Sequence, residues 1–117
     1  MIIGIVGSRR RCSENDFRLV EEEFLKVYKE GDIICSGLCP RGADRFAVIL
    51  SQKYHTGTLW FPPDWARYGR GAGIMRNTDI AKNSDILIAC TADDRTGGTE
   101  DTIRKYLKLG KERLRLV

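Results

Sequence analysis

The stretch from Phe61 to Asn77 holds more chemically capable residues than a connector needs. Pro62 and Pro63, Gly69, Gly71 and Gly73, Arg67, Arg70 and Arg76 share it with Asp64, Trp65 and Tyr68. Plain connections in compact domains are short and polar. Glycine lets the backbone approach a ligand closely, and guanidinium groups offer forked donors to phosphate or carboxylate. The same composition also suits a long surface loop holding a structural Trp. Three shorter turns carry related chemistry. Gly7-Ser8-Arg9 offers amides, a hydroxyl and a guanidinium just ahead of a helix, as a phosphate requires, although a tight turn with exposed arginines reads equally well. Gly97-Gly98-Thr99-Glu100 can form a nest of amides at a helix start, or a glycine turn with a helix cap. Ser36-Gly37 leads to Arg41-Gly42-Ala43-Asp44, where Asp44 either favours the first turn of a helix or accepts hydrogen bonds from sugar hydroxyls. Asp64 adds a further acceptor, and Trp65 a flat ring that could stack on a base or fill a core.

Alternating strands and helices must position these residues. Residues 2–6, 32–35, 58–61 and 86–90 are short, mainly apolar runs, as in strands buried on both faces of a parallel sheet. Phe17, Val20, Phe24 and Val27 recur at helical spacing behind Ser13, a plausible N-cap with Asp16 three residues on, and Gly31 marks the helix end. Ala43, Phe46, Ala47, Leu50 and Tyr54 give a second helical stripe. A third helix is expected over 76–83, and a fourth opens at Thr99 as N-cap, carries Ile103, Tyr106 and Leu107 inward and stops at Gly110. Residues 113–117 form a final edge strand protected by alternating charge. The pattern predicts one domain over 1–117: a Rossmann-like three-layer α/β sandwich, mainly parallel, of about five strands with helices on both faces. In such sheets ligands bind outside the carboxyl ends of the strands, near the reversal of strand order. All four turns fall there.

Composition excludes several classes. A chain of 117 residues is long enough for its own core, and its 42% hydrophobic and 31% charged residues are ordinary for a globular protein. No apolar run approaches the length of a membrane span, and the first residues lack a signal-peptide pattern, so a cytoplasmic, membrane-free protein is expected. Cys12, Cys35, Cys39, Cys90 and the single His55 have no metal-ligand spacing; neither a metal nor a cofactor is expected, and Cys35 and Cys90 read as small hydrophobes. The net charge of +4 fits a small anion, a solvated surface or nucleic acid. No basic motif interleaved with aromatics is present, which makes nucleic acid the least favoured partner. Gly7-Ser8-Arg9 is no dinucleotide fingerprint.

Taken together, Gly7-Ser8-Arg9, Ser36-Gly37, Gly42-Ala43-Asp44, Phe61-Pro62, Asp64-Trp65, Tyr68-Gly69, Ala72-Gly73, Arg76-Asn77 and Gly97-Gly98-Thr99 resemble the SLOG superfamily, and most of all its small YspA/YpsA-related branch. The resemblance spans nearly the whole chain. It implies a Rossmann-like fold that binds nucleotides or nucleotide-derived ligands. Members near this branch look like ligand sensors, often tied to stress or phage defence; more distant kin are the Lonely Guy phosphoribohydrolases and the DNA-processing protein DprA. Lonely Guy enzymes carry Pro-Gly-Gly-x-Gly-Thr-x-x-Glu, whose last Glu takes part in N-glycosidic cleavage. Here Gly98-Thr99 matches the Gly-Thr pair, the preceding Pro is missing, and the Glu position is Thr102.

The leading expectation is therefore a module that binds or senses a phosphorylated nucleotide-like ligand. Gly7, Ser8, Arg9, Gly97, Gly98 and Thr99 would hold phosphate, Ser36 and Gly37 would line the floor, and Asp44 would face the ribose. Arg76 and Asn77 would close the loop over the anion as a lid, with Asp64 and Trp65 on the rest of the nucleotide. The alternative is a nucleoside 5'-monophosphate N-glycosidase using Asp44, Asp64 or Glu100 as its carboxylate. Trp60, Phe61 and Tyr68, if exposed, could supply a homodimer interface.

Overall fold

The computed structural model describes residues 1–117. Five strands form one all-parallel sheet: β1 (Ile2–Gly7), β2 (Ile33–Ser36), β3 (Gly57–Trp60), β4 (Ile86–Cys90) and β5 (Leu114–Leu116), ordered β3-β2-β1-β4-β5. Helices α1 (Glu14–Val27), α2 (Ala43–Tyr54), α4 (Ala72–Asn83) and α5 (Gly98–Lys108) fill the crossovers, with a single-turn α3 (Trp65–Tyr68) between β3 and α4. This is the Rossmann-like α/β architecture the alternating pattern predicts.

The apolar runs become strands because both faces of the sheet are covered. Ile3 and Ile5 of β1, with Ile86 and Ile88 of β4, meet Val20 and Phe24 of α1 and Phe46 and Leu50 of α2. The alternate residues Val6, Leu87 and Ala89 meet Ile80 of α4 and Ile103 and Tyr106 of α5. A strand walled on both sides shows no polar alternation. The buried Tyr106 stays satisfied because its hydroxyl donates to the Asp85 carbonyl, 2.8 Å away. The outer strands β3 and β5 are short and partly exposed, as edges must be. No helix is long and apolar enough to cross a membrane.

Three helix boundaries depart from expectation. α1 begins as foreseen, with a complete capping box: the Ser13 hydroxyl accepts from the Asp16 amide and the Asp16 carboxylate from the Ser13 amide. It ends at Val27, four residues before Gly31, because Tyr28 turns extended and its ring stacks on Phe24 with centroids 4.9 Å apart. α5 is capped by Gly97, not Thr99. Gly97 sits at φ 104°, which glycine alone adopts freely, and this brings the chain into the helix one residue before Thr99. Thr99 then lies inside the first turn, buried. Residues 61–77 form no open lid: Asp64 caps α3 by accepting from the Arg67 amide, a 3-10 turn follows over Gly69–Gly71, and α4 is already under way at Ala72. Arg76 and Asn77 therefore stand on a helix and not on a loop.

Candidate functional site

After β3 the chain crosses to the far side of β1, so strand order reverses between β1 and β4. The turns that leave these two strands diverge there and open a crevice. A cavity of about 290 Å³ lies in it, between Gly7-Ser8-Arg9 after β1 and Gly97-Gly98-Thr99 at the start of α5. Asp44 from α2 and Arg76 and Asn77 from α4 complete its walls. Nine of the residues singled out from sequence thus meet in one cavity.

The start of α5 is short of acceptors. No side chain caps it, and no protein group accepts from the amides of Gly98, Thr99 or Glu100. α1 and α3, by contrast, are capped by Ser13 and Asp64. Unclaimed first-turn amides carry the positive end of the helix dipole into the cavity.

Asp44 and Arg76 form the buried heart of the wall. Asp44 is 7% exposed. Its Oδ2 accepts from the Cys39 amide at 3.0 Å and lies 3.6 Å from Nη1 of Arg76; its Oδ1 lies 2.9 Å from the Ser36 hydroxyl. Ser36 also lies 2.7 Å from the Ile5 carbonyl. One hydroxyl proton cannot fully serve two acceptors, and a proton on Oδ1 would resolve the conflict by donating to Ser36. Burial pushes the Asp44 carboxyl above the ordinary carboxylate range, against the opposing pull of the Cys39 amide, Arg76, Ser36 and Arg9. Arg76 donates from Nη1 to the Gly37 carbonyl at 3.2 Å, while its buried Nε has no partner.

These contacts reassign several sequence-predicted residues. Ser36 and Gly37 lie beneath the cavity wall: Ser36 holds Asp44, and Gly37 seats Arg76. Asp44 has both oxygens engaged within the protein, so its first job is to position Arg76. Asp64 is spent on capping α3, and Trp65 is 55% exposed on that helix; neither lines the cavity. Glu100 pairs with Arg95 through two hydrogen bonds of 2.8 Å and also stays outside. Val6, Arg10, Cys39, Ile80, Thr96 and Thr102 line the cavity without having been foreseen. Helical spacing could have found two of them: Ile80 follows Arg76 by one turn, and Thr102 follows Thr99 in the same way.

The three arginines of the first turn divide their tasks. Arg11 pairs with Asp16, and burial of that carboxylate is outweighed by Ser13 and Arg11, which lower its pKa. Arg10 reaches across the crevice to grip Asp94 at 2.8 and 2.9 Å and Thr96 at 3.1 Å, which holds Asp94 far below its usual range. Arg9 makes no ion pair. The run is thus a strap and a single unpaired cation, not a free basic patch. Since Arg10 lines the cavity, Asp94 would compete with any anion placed there for its guanidinium. Asp94→Asn is expected to tighten binding of inorganic phosphate and to steepen its salt dependence, read by calorimetry at two ionic strengths; unchanged affinity would show that Arg10 takes no part.

All four cysteines are free; burial pushes the thiol of Cys35 up to about 12 and that of Cys90 to about 11. Nowhere do three His, Cys, Asp or Glu side chains converge as a metal site. The fold and the cavity define a Rossmann-like α/β protein with an anion-suited crevice at its switch point. No family model, curated protein or solved structure matches the chain.

Proposed function

We propose that this chain binds a nucleotide or nucleotide-derived phosphorylated ligand at the carboxyl edge of its sheet. The observation that carries the reading is the pair of unclaimed amides at Gly98 and Thr99, lining a cavity that the unpaired Arg9 and the half-satisfied Arg76 also line. Helix-start amides with guanidinium partners form an anion site of the kind phosphates occupy. The residue-by-residue resemblance to the SLOG superfamily supports the same ligand class, and a sensing role follows if binding occurs without turnover. Calorimetry against nucleoside mono-, di- and triphosphates and ADP-ribose tests it. Binding of at least one member, lost in Gly97→Val because a β-branched residue resists φ 104°, is expected. No binding across the panel would refute the reading.

A second reading, nucleotide N-glycosidase, draws on one observation: Asp44 is the sole carboxylate lining the cavity, and its buried carboxyl holds a proton more firmly than usual. In that reaction water's oxygen bonds to C1' as the C1'–N bond breaks, and a proton passes to the departing base. Release of free base from nucleoside monophosphates, lost in Asp44→Asn, would establish it; intact nucleotide after prolonged incubation would leave binding alone.

A further inference from the structure

The polar groups left over in the cavity describe more than a phosphate. Asn77 is 7% exposed, and its Nδ2 donates to the Gly98 carbonyl at 3.3 Å and to Asp101 Oδ2 at 3.1 Å. Both partners are acceptors, which sets the amide's orientation: Oδ1 is the remaining face, and no protein group donates to it. The dianion of a phosphate monoester carries only acceptors and cannot satisfy that oxygen; a sugar hydroxyl can. The Thr99 hydroxyl makes no hydrogen bond within the protein, and Ser8 Oγ accepts from the Arg10 amide at 3.2 Å while donating to no protein group. The cavity therefore sets amide and guanidinium donors beside an unpaired acceptor and two uncommitted hydroxyls.

Its apolar lining is equally telling. Val6 and Ile80 give a small aliphatic floor against which the C–H face of a sugar can rest, and no aromatic residue lines the cavity. At about 290 Å³ it also sits at the small end of ligand pockets. Tyr68 and Trp65, the rings nearest in sequence to the α4 wall, are on α3 and outside.

We infer that the cavity is built for a phosphorylated sugar of pentose size, with phosphate on the α5 amides and Arg9 and a hydroxyl donating to Asn77 Oδ1, and that any attached base lies outside and is not read. This rests on the phosphate-binding reading above and narrows it. The residue that sets the sugar preference is Asn77.

Calorimetry on the unaltered protein with ribose 5-phosphate, AMP, adenosine and inorganic phosphate tests it. Ribose 5-phosphate and AMP are expected to bind within about threefold of each other, because a stacked base would itself add about tenfold or more. Adenosine is expected not to bind, and inorganic phosphate to bind about tenfold more weakly than ribose 5-phosphate, the worth of a hydrogen bond to an otherwise unpaired acceptor. Trp65→Ala is expected to leave the AMP to ribose 5-phosphate ratio unchanged, whereas Asn77→Leu is expected to bring the affinities of ribose 5-phosphate and phosphate within about threefold of each other. AMP binding tenfold or more above ribose 5-phosphate, or a ratio that falls in Trp65→Ala, would overturn the inference and leave the phosphate site standing. Equal affinity for phosphate and ribose 5-phosphate would also overturn it. Failure of all four ligands would overturn both.

Discussion

Asp44→Ala is expected to destabilise the fold by about 3 kcal/mol or more and to abolish ligand binding, because it strands a buried guanidinium that cannot give up its proton. Arg76 has a side chain 14% exposed, and only Asp44 opposes its charge. The Cys39 amide loses its partner in the same stroke, and the Ser36 hydroxyl keeps only the Ile5 carbonyl. Asp44→Asn separates charge from hydrogen bonding. Its amide oxygen can still accept from Cys39, and its NH2 can donate to Ser36, which then donates to the Ile5 carbonyl; the stranded charge of Arg76 is common to both variants, and Asp44→Asn is expected to be the more stable by about 1 kcal/mol for each hydrogen bond kept. The pH dependence follows from burial, which raises the folded-state pKa of Asp44 above its unfolded value. As pH rises from about 4, the unfolded chain loses this proton first, so the stability contributed by Asp44 falls until pH passes the folded pKa. Asp44→Asn lacks that slope. Urea denaturation of the three proteins across pH 4 to 7 reads both effects, and a loss below about 1 kcal/mol in Asp44→Ala would show that the pair does not hold the wall together.

Gly37→Ala should separate the two effects: spare the fold and weaken the ligand. A Cβ at Gly37 would lie 2.4 Å from Arg76 Cδ and 2.5 Å from Nη1, well inside any tolerated contact. The colliding atoms belong to the end of a flexible side chain, so the chain accommodates the methyl by expelling Arg76 from its seat. The expected loss is about tenfold in affinity for AMP, the worth of one charge-assisted hydrogen bond. Stability is expected to change by less than about 1 kcal/mol, because the abandoned Asp44 can take up a proton whereas an abandoned arginine cannot lose one. Calorimetry paired with urea denaturation measures the two quantities. Unaltered affinity would remove Arg76 from the binding site; a large stability loss would mean that its seat serves the fold first.

The contrast between these variants shows where sequence reasoning reached and where it stopped. Glycines and arginines at strand ends converge on one edge of the sheet, since a parallel sheet with one order reversal has only one crevice for them to share. Nothing in the spacing of Ser36, Gly37 and Asp44 says which touches a ligand and which supports a neighbour. That depends on Arg76 arriving from a helix more than thirty residues away, and on an amide and a hydroxyl reaching Asp44 before any ligand could. Asp64 and Trp65 misled for a related reason: a carboxylate and an indole suit a nucleotide, but Asp64 finds its partner three residues on and folds its segment into α3.

What the sequence determined by itself was local and periodic. Apolar runs of four or five residues, helical stripes and glycine at each turn specify five strands, their helices and a shared edge, because side-chain burial on a two-faced sheet leaves few other arrangements. The tertiary structure alone decided the site's chemistry: which amides at α5 lack an acceptor, which arginine lacks a carboxylate, and which oxygen of Asn77 is left over. Those facts are differences between the groups a cavity contains and the partners the fold has already supplied. Such remainders exist only once distant segments have met.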